Sequence, residues 1–169
     1  VESTIVDLTV EPPQILRPGY VTKEKLERLL GQVDTDDPSM SPEGGGAPRA
    51  PGMKYRHYAP RGSLMVVEGT PERVAAYVNR QAAFQRAAGE KTGVIATEEM
   101  HGQYGADVIK YIGSRDDEES IARNLFAALR EFDDENVTII YSESFSSEGL
   151  GQAIMNRLLK AAGHQVIQV

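Results

Sequence analysis

No cysteine occurs among the 169 residues, which excludes disulfides, thiol nucleophiles and thiolate metal sites. Its absence suits a reducing cytoplasm, the expected compartment. No apolar run approaches the length that spans a bilayer, and Val1 is not followed by the basic flank and apolar stretch of a signal peptide. A membrane partner is not expected. Cationic charge is scarce: 18 Lys and Arg stand against 25 Asp and Glu, a net charge of -7. From Gly62 onward sixteen acidic residues face ten basic ones, so strong direct binding to nucleic acid is not expected. There is no dinucleotide glycine fingerprint and no P-loop lysine. His101 and His164 lie far apart without ligand spacing, so no protein-built metal site is expected. The chain starts on Val1 rather than methionine and runs directly into a strand-like segment, which reads as the back part of a longer polypeptide.

Ser3–Val10 alternates and is rich in β-branched residues, the pattern of a strand, broken by Glu11-Pro12-Pro13. Gln14–Arg17 is a second extended run, stopped by Pro18-Gly19. Thr22 can cap a helix reaching about Gly31, with Leu26, Leu29 and Leu30 on one face. Two strands and one helix cannot bury a core alone, so this piece is expected to need the rest of a domain.

From Ser63 onward, short apolar strands alternate with amphipathic helices. Strands are predicted over Ser63–Glu68, Gly93–Ala96, Asp107–Ile112, Val137–Tyr141 and Gln165–Gln168. Thr70-Pro71 opens a helix to about Ala88, with Thr70 as cap and proline at the first helical position. Ser114 with Asp117 resembles a capping box for a helix burying Ile121, Leu125, Phe126 and Leu129. Gly149–Ala162 is a helix using Ile154, Leu158 and Ala161. The fold class is therefore α/β: a Rossmann-like parallel sheet covered by helices, preceded by a flexible linker and a β-β-α remnant of another α/β domain. Between the two parts, Asp34 to Pro51 is rich in Asp, Ser and Pro and carries Gly44-Gly45-Gly46, a linker composition.

The far end of that linker is the decapeptide Pro51-Gly52-Met53-Lys54-Tyr55-Arg56-His57-Tyr58-Ala59-Pro60. Prolines and glycine keep it out of helix and sheet. It holds two cations, an imidazole and two tyrosines with no acidic residue, a set suited to pressing charge and π-surface onto an anionic, aromatic ligand such as a nucleotide. A basic surface linker is the alternative. The Ser142–Gly151 connection joins a strand to a helix, where backbone donors can receive an anion. Its two glutamates oppose phosphate, and a plain loop with close-packing glycines is the simpler reading.

The decapeptide resembles the interdomain segment of the Sua5 family, L-threonylcarbamoyladenylate synthases with a YrdC-like catalytic domain followed by a smaller Rossmann-like domain. Two further blocks agree. Glu2–Asp7 with Ile15-Leu16-Arg17-Pro18-Gly19 is similar to the end of the YrdC-like domain, and Glu148–Leu158 to the last helix of the C-terminal domain. The likeness covers nearly the whole chain in order, with Ala50 and Ile5 as small departures. It implies three blocks: 1–33, the end of the YrdC-like domain; 34–61, the interdomain linker or lid; and 62–169, the C-terminal domain. The family's Lys-x-Arg and Ser-x-Asn nucleotide-binding elements are not in this sequence, so the parent protein is expected to be an enzyme and this chain alone to be inactive.

The resemblance implies synthesis of threonylcarbamoyl-AMP from L-threonine, bicarbonate and ATP with release of pyrophosphate, for modification of transfer RNA by a downstream complex. Magnesium would arrive with the ATP. By the same resemblance Ser3 touches L-threonine, with Thr4 a weaker neighbour, and Arg17 contacts the nucleotide. Read without it, Ser3 is a serine at a strand start and Arg17 a surface salt-bridge residue. Tyr58 is the first choice for ATP contact, with Lys54 and Arg56 on the polyphosphate. The decapeptide would act as a lid that keeps water from the carbamate and the mixed anhydride. The alternative function is a non-catalytic nucleotide-binding or regulatory Rossmann-like module.

Overall fold

A computed structural model describes residues 2–35 and 59–169. The first part is a three-stranded sheet, order β1-β2-β3, with one helix. β1 is Ile5–Asp7 and β2 is Gln14–Arg17, which pair antiparallel. β1 is shorter than the predicted Ser3–Val10. The Asp7 carboxylate accepts bonds from the Thr9 amide at 2.9 Å and the Thr9 hydroxyl at 2.6 Å, a side-chain turn that competes with the ladder. Helix α1, Lys23–Leu30, is capped as expected: the Thr22 hydroxyl accepts from the Lys25 amide. β3, Asp34–Thr35, was not foreseen and lies parallel to β2, so strand pairing continues past residue 33 to Thr35. Among its described surroundings α1 buries no residue, and Leu29 is 84% exposed.

The second part is a five-stranded, wholly parallel sheet. Its strands are β4 (Ser63–Glu68), β5 (Thr92–Ala96), β6 (Val108–Tyr111), β7 (Ile139–Glu143) and β8 (Val166–Gln168), in the order β6-β5-β7-β4-β8. Helix α2 (Pro71–Ala87) connects β4 to β5, α3 (Glu118–Asp134) connects β6 to β7, and α4 (Gly149–Ala162) connects β7 to β8. Successive strand side chains point to opposite faces, which divides the apolar runs between two cores. Val66, Ile95 and Ile140 pack with Leu125, Leu129, Ile154 and Leu158 of α3 and α4. Val67, Val94 and Tyr141 pack with Val74 and Val78 of α2. A strand buried on both faces has no polar side to show, which is why these segments read as continuous apolar runs.

Three local expectations are corrected. Thr70 stands at the N-cap of α2, but its side chain makes no capping bond; Pro71 alone sets the start. Asp117, not Ser114, caps α3 by accepting from the Ser120 amide, while the Ser114 hydroxyl donates to Glu99 at 2.5 Å. Phe126 is 37% exposed rather than core. It carries the guanidinium groups of Arg130 and Arg157 at 5.4 and 5.2 Å, an amphipathic use of a ring at a rim.

Candidate functional site

Arg17 ends β2 directly opposite Ile5 of β1, so its side chain lies over the residues that lead into β1. Its Nε and Nη2 both donate to the Ser3 carbonyl, at 3.2 and 3.0 Å. The planar fork suits this two-point grip. Nη1 lies 3.7 Å from the Glu2 carboxylate. The Pro18-Gly19 turn closes the other side of the same segment. Tyr20 N–H donates to the Glu2 carbonyl at 3.1 Å. Gly19 lies so close that a Cβ there would stand 2.4 Å from the Glu2 carbonyl oxygen and 2.4 Å from the Thr4 nitrogen. Only glycine allows that approach.

The two predicted residues Ser3 and Arg17 are thus brought together, and in a definite way. Arg17 braces the Ser3 peptide, while the exposed Ser3 hydroxyl has no partner among the described residues. Thr4 is used differently. Its hydroxyl donates to the Val21 carbonyl at 2.7 Å and accepts from the Val21 amide at 3.1 Å, which pins the strand to the start of α1. Lys54, Arg56, His57 and Tyr58 lie outside the described residues.

This corner is tied to the five-stranded unit. The Glu2 carboxylate, already near Arg17, also lies 3.5 Å from Nη1 of Arg157 on α4. The Tyr20 hydroxyl donates to Glu119 at the start of α3, at 3.2 Å. Hydrogen bonding from the Thr22 side chain, aided by the Gly149 backbone, holds the Glu24 carboxyl below the usual carboxylate range. Beside Arg17 the near carboxylate is Glu2, engaged by two guanidinium groups, and no group of three potential metal ligands occurs among the described residues. The corner therefore does not fit a magnesium site.

A second cluster was missed by sequence reasoning. Glu143, placed by the sequence in a loop, is the last residue of β7 and is 3% exposed. Its carboxylate accepts from the Thr97 amide at 3.1 Å, the Thr97 hydroxyl at 3.0 Å, the Tyr104 hydroxyl at 3.1 Å and Arg115 at 2.6 Å. Burial, then the Glu143 charge, raises the Tyr104 phenol above its ordinary range. The three partner residues come from three separate segments, so no local motif announced them. The start of α4, considered as an anion site, instead receives the protein's own Glu118 carboxylate, which accepts from the Gly151 amide at 3.2 Å. No described helix is long and apolar enough to cross a membrane.

Comparison with known proteins bears on the corner and on the sheet. Residues 21–163 match the family model described as threonylcarbamoyl-AMP synthase, C-terminal domain. A threonylcarbamoyl-AMP synthase of Bacillus subtilis is 44% identical over 99% of this chain, and one of Pyrococcus abyssi 43% identical over 100%. The chain spans about half their length, 47% and 48%. A double-alanine variant of P. abyssi Sua5 superposes with a TM-score of 0.88 at 41% identity, covering 100% of this chain and 47% of that one. P. abyssi Sua5 complexed with L-threonine gives a TM-score of 0.86 at 41% identity, over 99% of this chain and 47% of that one. With the parallel sheet, the Ser3–Arg17 corner and these likenesses together, the chain belongs to the threonylcarbamoyl-AMP synthase (Sua5) family, within its C-terminal portion.

Proposed function

We propose that this chain supplies one wall of the L-threonine and ATP site of a threonylcarbamoyl-AMP synthase, together with the linker and an accessory α/β domain. The observation that carries the reading is the two-point grip of Arg17 on the Ser3 peptide, in a chain 41% identical to a Sua5 structure complexed with L-threonine. Residues 1–33 are then the end of the catalytic domain, whose sheet reaches Thr35 through β3, the segment on to 61 is the linker, and 62–169 is the C-terminal domain.

In the proposed reaction the threonine amine attacks the bicarbonate carbon, a C–O bond breaks, and water leaves to give the carbamate. A carbamate oxygen attacks the α-phosphorus of ATP, the bond to the β-phosphate oxygen breaks, and pyrophosphate leaves with the electron pair. Such a displacement needs alignment and charge neutralisation more than covalent help. Ser3 offers its unpartnered hydroxyl to L-threonine. Arg17 fixes the Ser3 peptide and brings positive charge to the nucleotide side of the corner. Lys54, Arg56 and Tyr58 are assigned to ATP, the first two by charge and Tyr58 by its ring or phenol. Magnesium would be carried by the nucleotide, and the product would pass to a tRNA-modifying complex.

The test uses a chimera in which the amino-terminal half of the B. subtilis relative is joined to these 169 residues. Ser3→Ala should raise the KM for L-threonine about tenfold, the loss of one substrate hydrogen bond, with the KM for ATP unchanged. A chimera that is active but indifferent to Ser3→Ala would overturn the assignment.

A further inference from the structure

The chain leaves β4 toward β5 through α2 and leaves β7 toward β8 through α4, although β4 and β7 are neighbours. The two connections therefore depart in opposite directions and open a crevice at the carboxyl ends of those strands. In open α/β sheets this is where ligands are held. Here the crevice measures about 200 Å³, bordered by Gly69, Pro71 and Val74 on one side and by Tyr104, Arg115, Glu143 and Ser144 on the other.

The polar side is already organised. Arg115 donates through Nη2 to Glu143 at 2.6 Å and through Nη1 to the Ser144 carbonyl at 3.1 Å, and it lies over the Phe145 ring at 5.5 Å. Those contacts fix the plane of the guanidinium without exhausting its five N–H groups, and the side chain remains 42% exposed. Glu143 has the opposite balance. Its four bonds from Thr97, Tyr104 and Arg115 use the acceptor sites of a carboxylate. The crevice thus has donors to spare and no spare carboxylate acceptor, which selects an anion over an ammonium group.

Size and wall chemistry narrow the class. At interior packing density, about 200 Å³ is filled by roughly eight to ten non-hydrogen atoms, the size of a small organic acid. Pro71 and Val74 present an apolar wall, and among the described residues Arg115 is the one cation bordering the space, already balanced against Glu143. A hydrated dianion such as phosphate would meet no second cation there. A single carboxylate bearing a short apolar tail satisfies both walls.

We infer that the crevice between the ends of β4 and β7 is a binding site for a small organic monocarboxylate, gripped by Arg115 and packed against Pro71 and Val74. It is separate from the Ser3–Arg17 corner and holds whether or not that corner proves to bind L-threonine.

The probe is isobutyrate, titrated into the 169-residue chain and followed by ¹H–¹⁵N correlation NMR, with isobutyramide and inorganic phosphate at matched ionic strength. Isobutyrate should give saturable shifts at Arg115 Nε–H and at the Gly69 and Ser144 amides, with isobutyramide and phosphate at least tenfold weaker. Arg115→Gln should abolish the response. Because that change leaves Glu143 short of a partner and can unfold the chain, Val74→Leu, which narrows the crevice and spares the ion pair, is the deciding variant. It should weaken isobutyrate at least tenfold while the spectrum stays dispersed. Non-saturable shifts, equal binding of isobutyramide or phosphate, or indifference to Val74→Leu would each overturn the inference.

Discussion

Gly19→Ala tests how the candidate site is held. An added methyl would stand 2.4 Å from the Glu2 carbonyl oxygen, 2.4 Å from the Thr4 nitrogen and 2.5 Å from the Ser3 carbonyl carbon, where ordinary contact begins near 3.4 Å. All three are backbone atoms, so no side chain can swing aside. The Ser3 segment must retreat from the Pro18-Gly19 turn by roughly 1 Å, at an overpacking cost of about 1–3 kcal/mol. A displacement of that size at a substrate-positioning residue lowers turnover about 100-fold. The assay is threonylcarbamoyl-AMP formation by the B. subtilis chimera, with amide exchange at Tyr20, whose N–H donates to the Glu2 carbonyl at 3.1 Å, as the structural readout. Both should change together. Gly31→Ala is the control. Gly31 has φ +80 but nothing within 4 Å of a Cβ, so alanine there should cost about 1–3 kcal/mol of backbone strain and leave activity intact. Gly19→Ala with accelerated Tyr20 exchange but activity within twofold of the parent would refute the claim that Ser3 positions substrate.

Three further outcomes are expected, two from the structure and one from the assignment of Tyr58 to ATP. The Ser114 hydroxyl, with smaller help from the Arg115 amide, lowers the exposed Glu99 carboxyl from 4.5 to about 2. Its stabilising contribution is therefore full above pH 4.5 and lost as pH falls toward 2, and solvent screening limits it to under about 1 kcal/mol; the difference between parent and Ser114→Ala in urea unfolding should shrink as pH falls from 7 to 2.5. Asp117→Ala removes the side-chain cap of α3 and should cost about 1 kcal/mol in the same assay, whereas a neutral result would return the cap to Ser114. Tyr58→Ala in the chimera should raise the KM for ATP about tenfold, the loss of ring stacking or a phenol hydrogen bond, and unchanged steady-state kinetics would retire the lid assignment.

Much of the fold was legible because the local signals agreed with one another. β2, β4 and α4 fall on their predicted limits, since Pro-Gly breaks, β-branched runs and amphipathic spacing all marked the same boundaries. β3 was hidden because Asp34–Thr35 has a linker's composition and becomes a strand only through its partner β2. β1 was overcalled because the Asp7–Thr9 turn is polar chemistry inside an apolar alternation. Ser3 and Arg17 stood out through family resemblance; their contact depends on the β1–β2 register, which no spacing rule supplies. Glu143 was misplaced for the same kind of reason. The Arg115 that neutralises it lies 28 positions away, so from sequence it read as one of two loop glutamates that oppose phosphate.

The central claim is that the corner formed by Ser3 and Arg17 faces substrate. A crystal structure of the chimera with L-threonine and a non-hydrolysable ATP analogue tests it most directly. Ser3 Oγ should lie within about 3.2 Å of a threonine polar atom, with the Arg17 guanidinium on the side of the bound phosphates. L-threonine and nucleotide enclosed wholly by the amino-terminal half, with Ser3 and Arg17 more than about 6 Å away and no water between, would contradict it.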